Sequence, residues 1–136
     1  MWLFKSNDQL DEIVRQRWKG QWVWRELYTQ DAEGPNAARR TAKYLCSLVK
    51  NLNFPVLISY RKPVRHTDRL WDGVVRFAWP SSQDIGIDYD DYNFVKNLRE
   101  RGFVQAHISS IYSTENFDQL LKVAFTEGVI RCNFKK

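Results

Sequence analysis

A chain of 136 residues, 43% apolar and 15% aromatic, has the length and the apolar material for one globular core. Six Gly, four Pro and no low-complexity tract exclude a disordered or fibrous chain. The formal charge of +5 is lopsided, with 13 Lys/Arg against 7 Asp/Glu in residues 1–70 and 8 against 9 in residues 71–136. Such an asymmetry bears on partners, not on fold.

The opening Met1-Trp2-Leu3-Phe4-Lys5-Ser6-Asn7-Asp8 lacks the basic and apolar regions of a signal peptide. No apolar run reaches the roughly 18 residues of a membrane span. Cys46 and Cys132 are far apart and match no metal or redox spacing, so two free buried thiols are expected rather than a disulfide. Together these features predict a soluble cytoplasmic protein with no membrane association.

In chain order, Met1–Lys5 reads as a short strand. A helix follows from Asn7 to Lys19, opened by a Ser6/Gln9 capping box and striped with Leu10, Ile13, Val14 and Trp18. Gln21–Thr29 alternates as a strand, with Trp22, Trp24 and Tyr28 on one face and Val23, Arg25 and Leu27 on the other. The loop Gln30–Asn36 leads into a helix over Asn36–Asn51 whose buried side is Ala38, Ala42, Leu45, Val49 and Leu52. Phe54–Tyr60 is a nearly continuous apolar run, the signature of a central strand. A polar connection over Arg61–Asp72 precedes a strand at Gly73–Trp79 and a loop at Pro80–Ile87.

A third helix starts near Asp88–Asp91 and ends at Gly102, its acidic start and Arg99/Arg101 finish matching the helix dipole. Phe103–Tyr112 is a strand, Thr114–Glu127 a helix striped with Phe117, Leu120, Leu121, Ala124 and Phe125, and Val129–Phe134 a final strand. The order β-α-β-α-β-β-α-β-α-β predicts one domain over residues 1–136, of α+β or mixed α/β class: a single mixed sheet of five to six strands packed by four helices.

Few residues carry a chemical signature. His107-Ile108-Ser109 resembles one of the two His-x-Ser/Thr strands of two-histidine phosphoesterases. His66, however, is followed directly by Thr67, so the second imidazole that chemistry needs lacks its spacing. Asp84, Asp88, Asp90 and Asp91 form an acidic cluster that misses the calcium-loop pattern and reads better as a helix N-terminus, with a second role as a candidate binding surface. Gly-rich phosphate loops are absent. Cys46 sits beside Leu45 in a helical pattern and reads as a structural thiol. No catalytic residue, metal or cofactor is expected.

The remaining signal is basic and aromatic. Arg39, Arg40, Lys43 and Lys50 on the second helix would join Arg61, Lys62, Arg65 and Arg69 if that helix packs beside the strand at 54–60, near Tyr60, Trp71 and either Trp22 or Trp24. With no catalytic motif, the surplus of aromatic and Arg side chains points to a protein partner and a non-catalytic protein-binding module, such as an inhibitor, immunity protein or adaptor. The first alternative is a nucleic-acid-binding protein using Arg39–Arg69, with cations on phosphates and rings on bases. The second is an enzyme of unrecognised type, for which His107 and the acidic cluster would be the positions to test.

Overall fold

The computed structural model describes residues 8–29, 37–61, 73–87, 92–100, 105–108, 114–124 and 128–132. Ten elements follow in chain order: α1 (Asp8–Arg17), β1 (Trp22–Thr29), α2 (Ala37–Leu48), β2 (Val56–Arg61), β3 (Gly73–Pro80), α3 (Tyr92–Glu100), β4 (Gln105–Ile108), β5 (Thr114–Glu115), α4 (Phe117–Ala124) and β6 (Gly128–Cys132). The class is α+β, helices on an antiparallel sheet.

β3 is buried on both faces, with only Arg76 half-buried, and such a strand has to lie in the interior of a sheet. It sits between β1 and β2 in the order β4-β1-β3-β2-β6. The body of the sheet is the four antiparallel strands β1, β3, β2 and β6. The short β4 and β5 attach to the other side of β1, opposite Leu27–Thr29 and Trp22–Val23 respectively.

Every described pairing is antiparallel, which corrects the mixed sheet expected from alternating strands and helices. The helical connections do join parallel strands, but those strands are never neighbours. β3 lies between β1 and β2, and β1 lies between β3 and β4.

The expected alternation on β1 divides the core. Leu27 packs with Val56, Ile58, Tyr60, Val75, Phe77 and Trp79 under α2 and α3, with Val23 against them. Trp22 packs with Leu57, Ala78, Phe117, Leu120 and Leu121 under α1 and α4. Helices on both faces make three layers. On the second face the Trp22 and Phe117 rings lie 5.2 Å apart, and the Trp22 indole donates to the Trp18 carbonyl at 3.2 Å.

The helix ends show why boundaries move. Thr114 and Glu115 pair with β1 instead of opening the last helix as the periodicity suggests. Asn116 and Gln119 then form a reciprocal capping box, Gln119 N donating to Asn116 Oδ1 at 2.8 Å and Asn116 N to Gln119 Oε1 at 3.1 Å, so α4 starts at Phe117. The strand expected at Met1–Lys5, the Ser6 cap and the acidic start of α3 lie outside the described residues.

β6 is held from both faces by adjacent residues. Arg131 points to the α1 side and pairs with Asp11; the two side chains are only 4% and 2% exposed. Breaking such a buried pair by removing one partner typically costs about 3–5 kcal/mol, because a charge is left desolvated. The Arg15–Asp118 bond between α1 and α4, at 2.6 Å, raises an already basic guanidinium pKa. It is exposed, and such pairs contribute at most about 1 kcal/mol.

Cys132 points to the other face and forms a disulfide with Cys46 of α2, with Cα atoms 5.6 Å apart. This overturns the expected pair of free thiols. Sequence spacing could not reveal the bond, because the two residues are 86 positions apart and meet only when α2 lies across the end of β6. The denatured, unreduced protein should therefore show no titratable thiol. Cys46→Ser with Cys132→Ser should lose about 4–5 kcal/mol of stability in a denaturant titration, the loop-closure value for a separation of 86 residues; two free thiols would contradict the bond.

Candidate functional site

The connections set the directions of the two helices on the first face. β1 and β2 end, and β3 begins, at one end of the sheet, here called the top, where Thr29 pairs with Gly73 and Arg61 with Val74. α2 descends from the top and joins the start of β2 through residues 49–55. Residues 81–87 leave β3 at the bottom, and β4 begins at the top beside Thr29, so α3 ascends. The two helices therefore run in opposite directions.

Between them lies a cavity of about 330 Å³ lined by Tyr44 and Leu48 of α2, Gly86 and Ile87 of the loop, and Asn93, Phe94, Asn97 and Leu98 of α3. Phe94, Ile87, Leu98 and Tyr44 make an apolar floor continuous with the core. Leu48 stands on the lip, 43% exposed, a large hydrophobic side chain left in water. Asn93 and Asn97 are exposed and one helical turn apart on the opposite lip. The bottom is closed by a local turn in which Gly86 N donates to Asp84 Oδ1 at 2.8 Å and Gly86 takes a φ of +75°, a conformation that favours glycine.

The basic residues are only partly gathered. Packing of α2 on β2 does bring Arg39, Arg40 and Arg61 to the top of the sheet, whereas Lys50 lies beyond the bottom end of α2. Arg40, Arg61 and Lys50 are exposed; Arg39 and Lys43 are half-buried. Arg39, Arg40 and Lys43 are each already engaged in polar or electrostatic contacts. Lys62, Arg65, Arg69 and Trp71 lie outside the described residues.

The aromatic half of that expected surface does not materialise where it is described. Tyr60 is 7% exposed and belongs to the core, because it takes the inward position on β2. Trp22 is buried, and Trp24 is half-buried with the Arg76 guanidinium 5.8 Å from its ring. Arg76 is in turn fixed by Glu26, Nε to Oε1 at 3.0 Å.

Of the acidic candidates, Asp84 is exposed and organises the Gly86 turn, while Asp88, Asp90 and Asp91 lie outside the described residues. His107 pairs in register with Tyr28 on β4, and His66 lies outside the described residues. Among the described residues no three His, Cys, Asp or Glu side chains converge in a way that would hold a metal. No described helix is long and apolar enough to cross a membrane.

No protein family, curated protein or solved structure matches the chain.

Sequence reasoning missed the groove, although signals for it exist. Leu48 is an apolar residue off the buried stripe Ala38–Ala42–Leu45, and it follows Tyr44, which also lines the cavity, at four-residue spacing on α2. Two Asn at the same spacing on α3 are poor helix formers that would weaken a helix without a reason to be there.

Because the Gly86 turn closes the groove, Gly86→Ala should cost about 1–2 kcal/mol through its left-handed φ. Gly20→Ala has open space around the added methyl and no such φ, and should cost much less. Thermal melts of the two variants check this; equal effects would contradict the turn.

Proposed function

We propose that the protein is a non-catalytic binding module that takes a protein partner in the groove between α2 and α3. The observation that carries this reading is Leu48, exposed on the lip of an apolar-floored cavity. Protein interfaces bury apolar anchors of this kind at their centre and surround them with polar groups, the position that Asn93 and Asn97 take here. At about 330 Å³ the cavity has room for an apolar side chain of the partner. The interface is thus Tyr44, Leu48, Phe94 and Asn97 in place of the broader basic and aromatic surface expected from the sequence. An inhibitor, immunity protein or adaptor would need nothing more. The Cys46–Cys132 bond favours an oxidising compartment over the cytoplasm, since the ground for the latter included free thiols.

A second reading, polyanion binding at the top of the sheet, is favoured by one observation: Arg39, Arg40 and Arg61 share that end. A single experiment separates the two. A diazirine-bearing amino acid is placed at position 48, at position 61 or at the exposed position 17 on α1, and irradiated in the native host. One protein adduct of defined mass from position 48, absent from position 17 and abolished by Phe94→Asp, is expected. Nucleic-acid adducts from position 61 with none from position 48 would transfer the function to the second reading.

A further inference from the structure

We infer that the Cys46–Cys132 bond is a redox switch on the groove. Oxidised, it holds the α2 wall away from α3 and the groove stays open. Reduced, α2 shifts across the sheet, Leu48 goes under cover against α3, and the partner is refused. The inference rests on the reading of the groove as the binding face and adds how that face is turned on.

The two flanks of one stretch of α2 carry the two halves of the device. At about 100° per residue, Tyr44 and Leu48 lie to one side of the buried Leu45, and Cys46 lies to the other. The Tyr44 and Leu48 flank lines the cavity, with α3 across from it. The Cys46 flank reaches Cys132 on β6, at the opposite end of the sheet from β4, on which α3 packs. The bond therefore pulls α2 along the line that widens the groove. Its two ends differ in freedom. Cys132 is 2% exposed, on a strand paired with β2 and anchored by the Arg131–Asp11 pair. Cys46 is half-buried, on a helix that rests chiefly on β2 and β3 and only lightly on β6. When the bond is cut, the helix is the end that moves.

The direction of that movement follows from burial. Leu48, 43% exposed above an apolar floor, is a standing drive toward closure. The helices need to approach by only a few ångströms, from about 12 Å to the roughly 8–10 Å of packed helices, and shear of packed helices covers such distances. A chain kept reduced thus holds a closed groove and gains its binding face only where disulfides persist. Oxidation starts at Cys46, the more exposed of the two. Its thiolate attacks a donor disulfide and releases one donor thiol. The Cys132 thiolate then attacks Cys46 Sγ in the mixed disulfide, closes the bond and releases the second. The two cysteines lose two electrons and two protons, and the donor leaves as a dithiol. A dithiol reverses the same steps.

The test is methyl NMR of the full chain, oxidised and then reduced with dithiothreitol, with a soluble gadolinium chelate reporting exposure. On reduction the relaxation enhancement at the Leu48 methyl groups should fall several-fold, and contacts should appear between those methyls and the Asn97 side-chain amide. Amide protection along β2 and β6 should persist, because their pairing and the Arg131–Asp11 tie do not depend on the bond. Cys46→Ser with Cys132→Ser should match the reduced chain and ignore dithiothreitol. Unchanged or increased exposure of Leu48 in a folded reduced chain would overturn the inference. Loss of the β2 and β6 protection on reduction would overturn it too, since the bond would then be a staple for the whole fold. The position-48 crosslink, compared in the native host between the wild-type chain and the doubly Ser-substituted one, separates the two readings. Equal adducts from both leave the binding face standing and remove the switch. Adducts from neither, with Leu48 still covered on reduction, remove the binding face and leave a groove that the bond controls.

Discussion

The architecture depends on β3. A strand apolar on both faces can be satisfied only in the middle of a sheet with helices above and below it, and Gly73–Pro80 is buried throughout except at Arg76. Its insertion between β1 and β2 has a consequence for the helices. α2 packs chiefly on β2 and β3, and α3 packs on β4. With strands about 4.8 Å apart, those positions are separated by about 12 Å across the sheet. Packed helices come to about 8–10 Å. The two helices on this face are thus held slightly too far apart to close on each other, and the groove is the remainder.

The disulfide acts in the same direction. Cys46 lies between Tyr44 and Leu48 in sequence, and its bond to Cys132 draws that part of α2 toward the outer strand β6, away from α3. Arg131, next to Cys132, is gripped by Asp11 on the opposite face. One short strand at the sheet's edge is therefore tied covalently to one helical layer and by a buried ion pair to the other. An edge strand left open is prone to slip or to pair with other chains, and two ties on alternate faces fix its register. The wall of the groove that carries Leu48 inherits its position from this strand.

Much of the local structure was legible because it depends on patterns within about ten residues. The alternation of Trp22–Leu27, the stripe of α2 and the apolar run of β2 each report a buried face directly. Partnership between distant segments was not legible. The sequence holds no local mark that β3 separates β1 from β2, so alternation of helices and strands suggested adjacent parallel strands. Nor does it mark that Cys46 and Cys132 meet. The same limit applied to function: Arg39, Tyr60 and their neighbours were grouped by composition, but Tyr60 turned inward with the pleat of β2, and Arg39 and Lys43 became half-buried. The groove residues are dispersed over three segments, and only the misfit of Leu48 with its own helical stripe hinted at them.

The central claim is that binding occurs on the face formed by α2 and α3. At 16.2 kDa the protein is suited to solution NMR. The most direct measurement is a titration of the isotope-labelled chain with its crosslinked partner, once purified, following the Leu48 methyl groups, the Asn93 and Asn97 side-chain amides and the Gly86 backbone amide. The account predicts that these signals shift together and saturate at one equivalent, while those of Gln9, Arg17 and Lys122 on the other layer stay in place. Shifts confined to the α1–α4 layer, or to Arg61 and the top of the sheet with the groove silent, would contradict it.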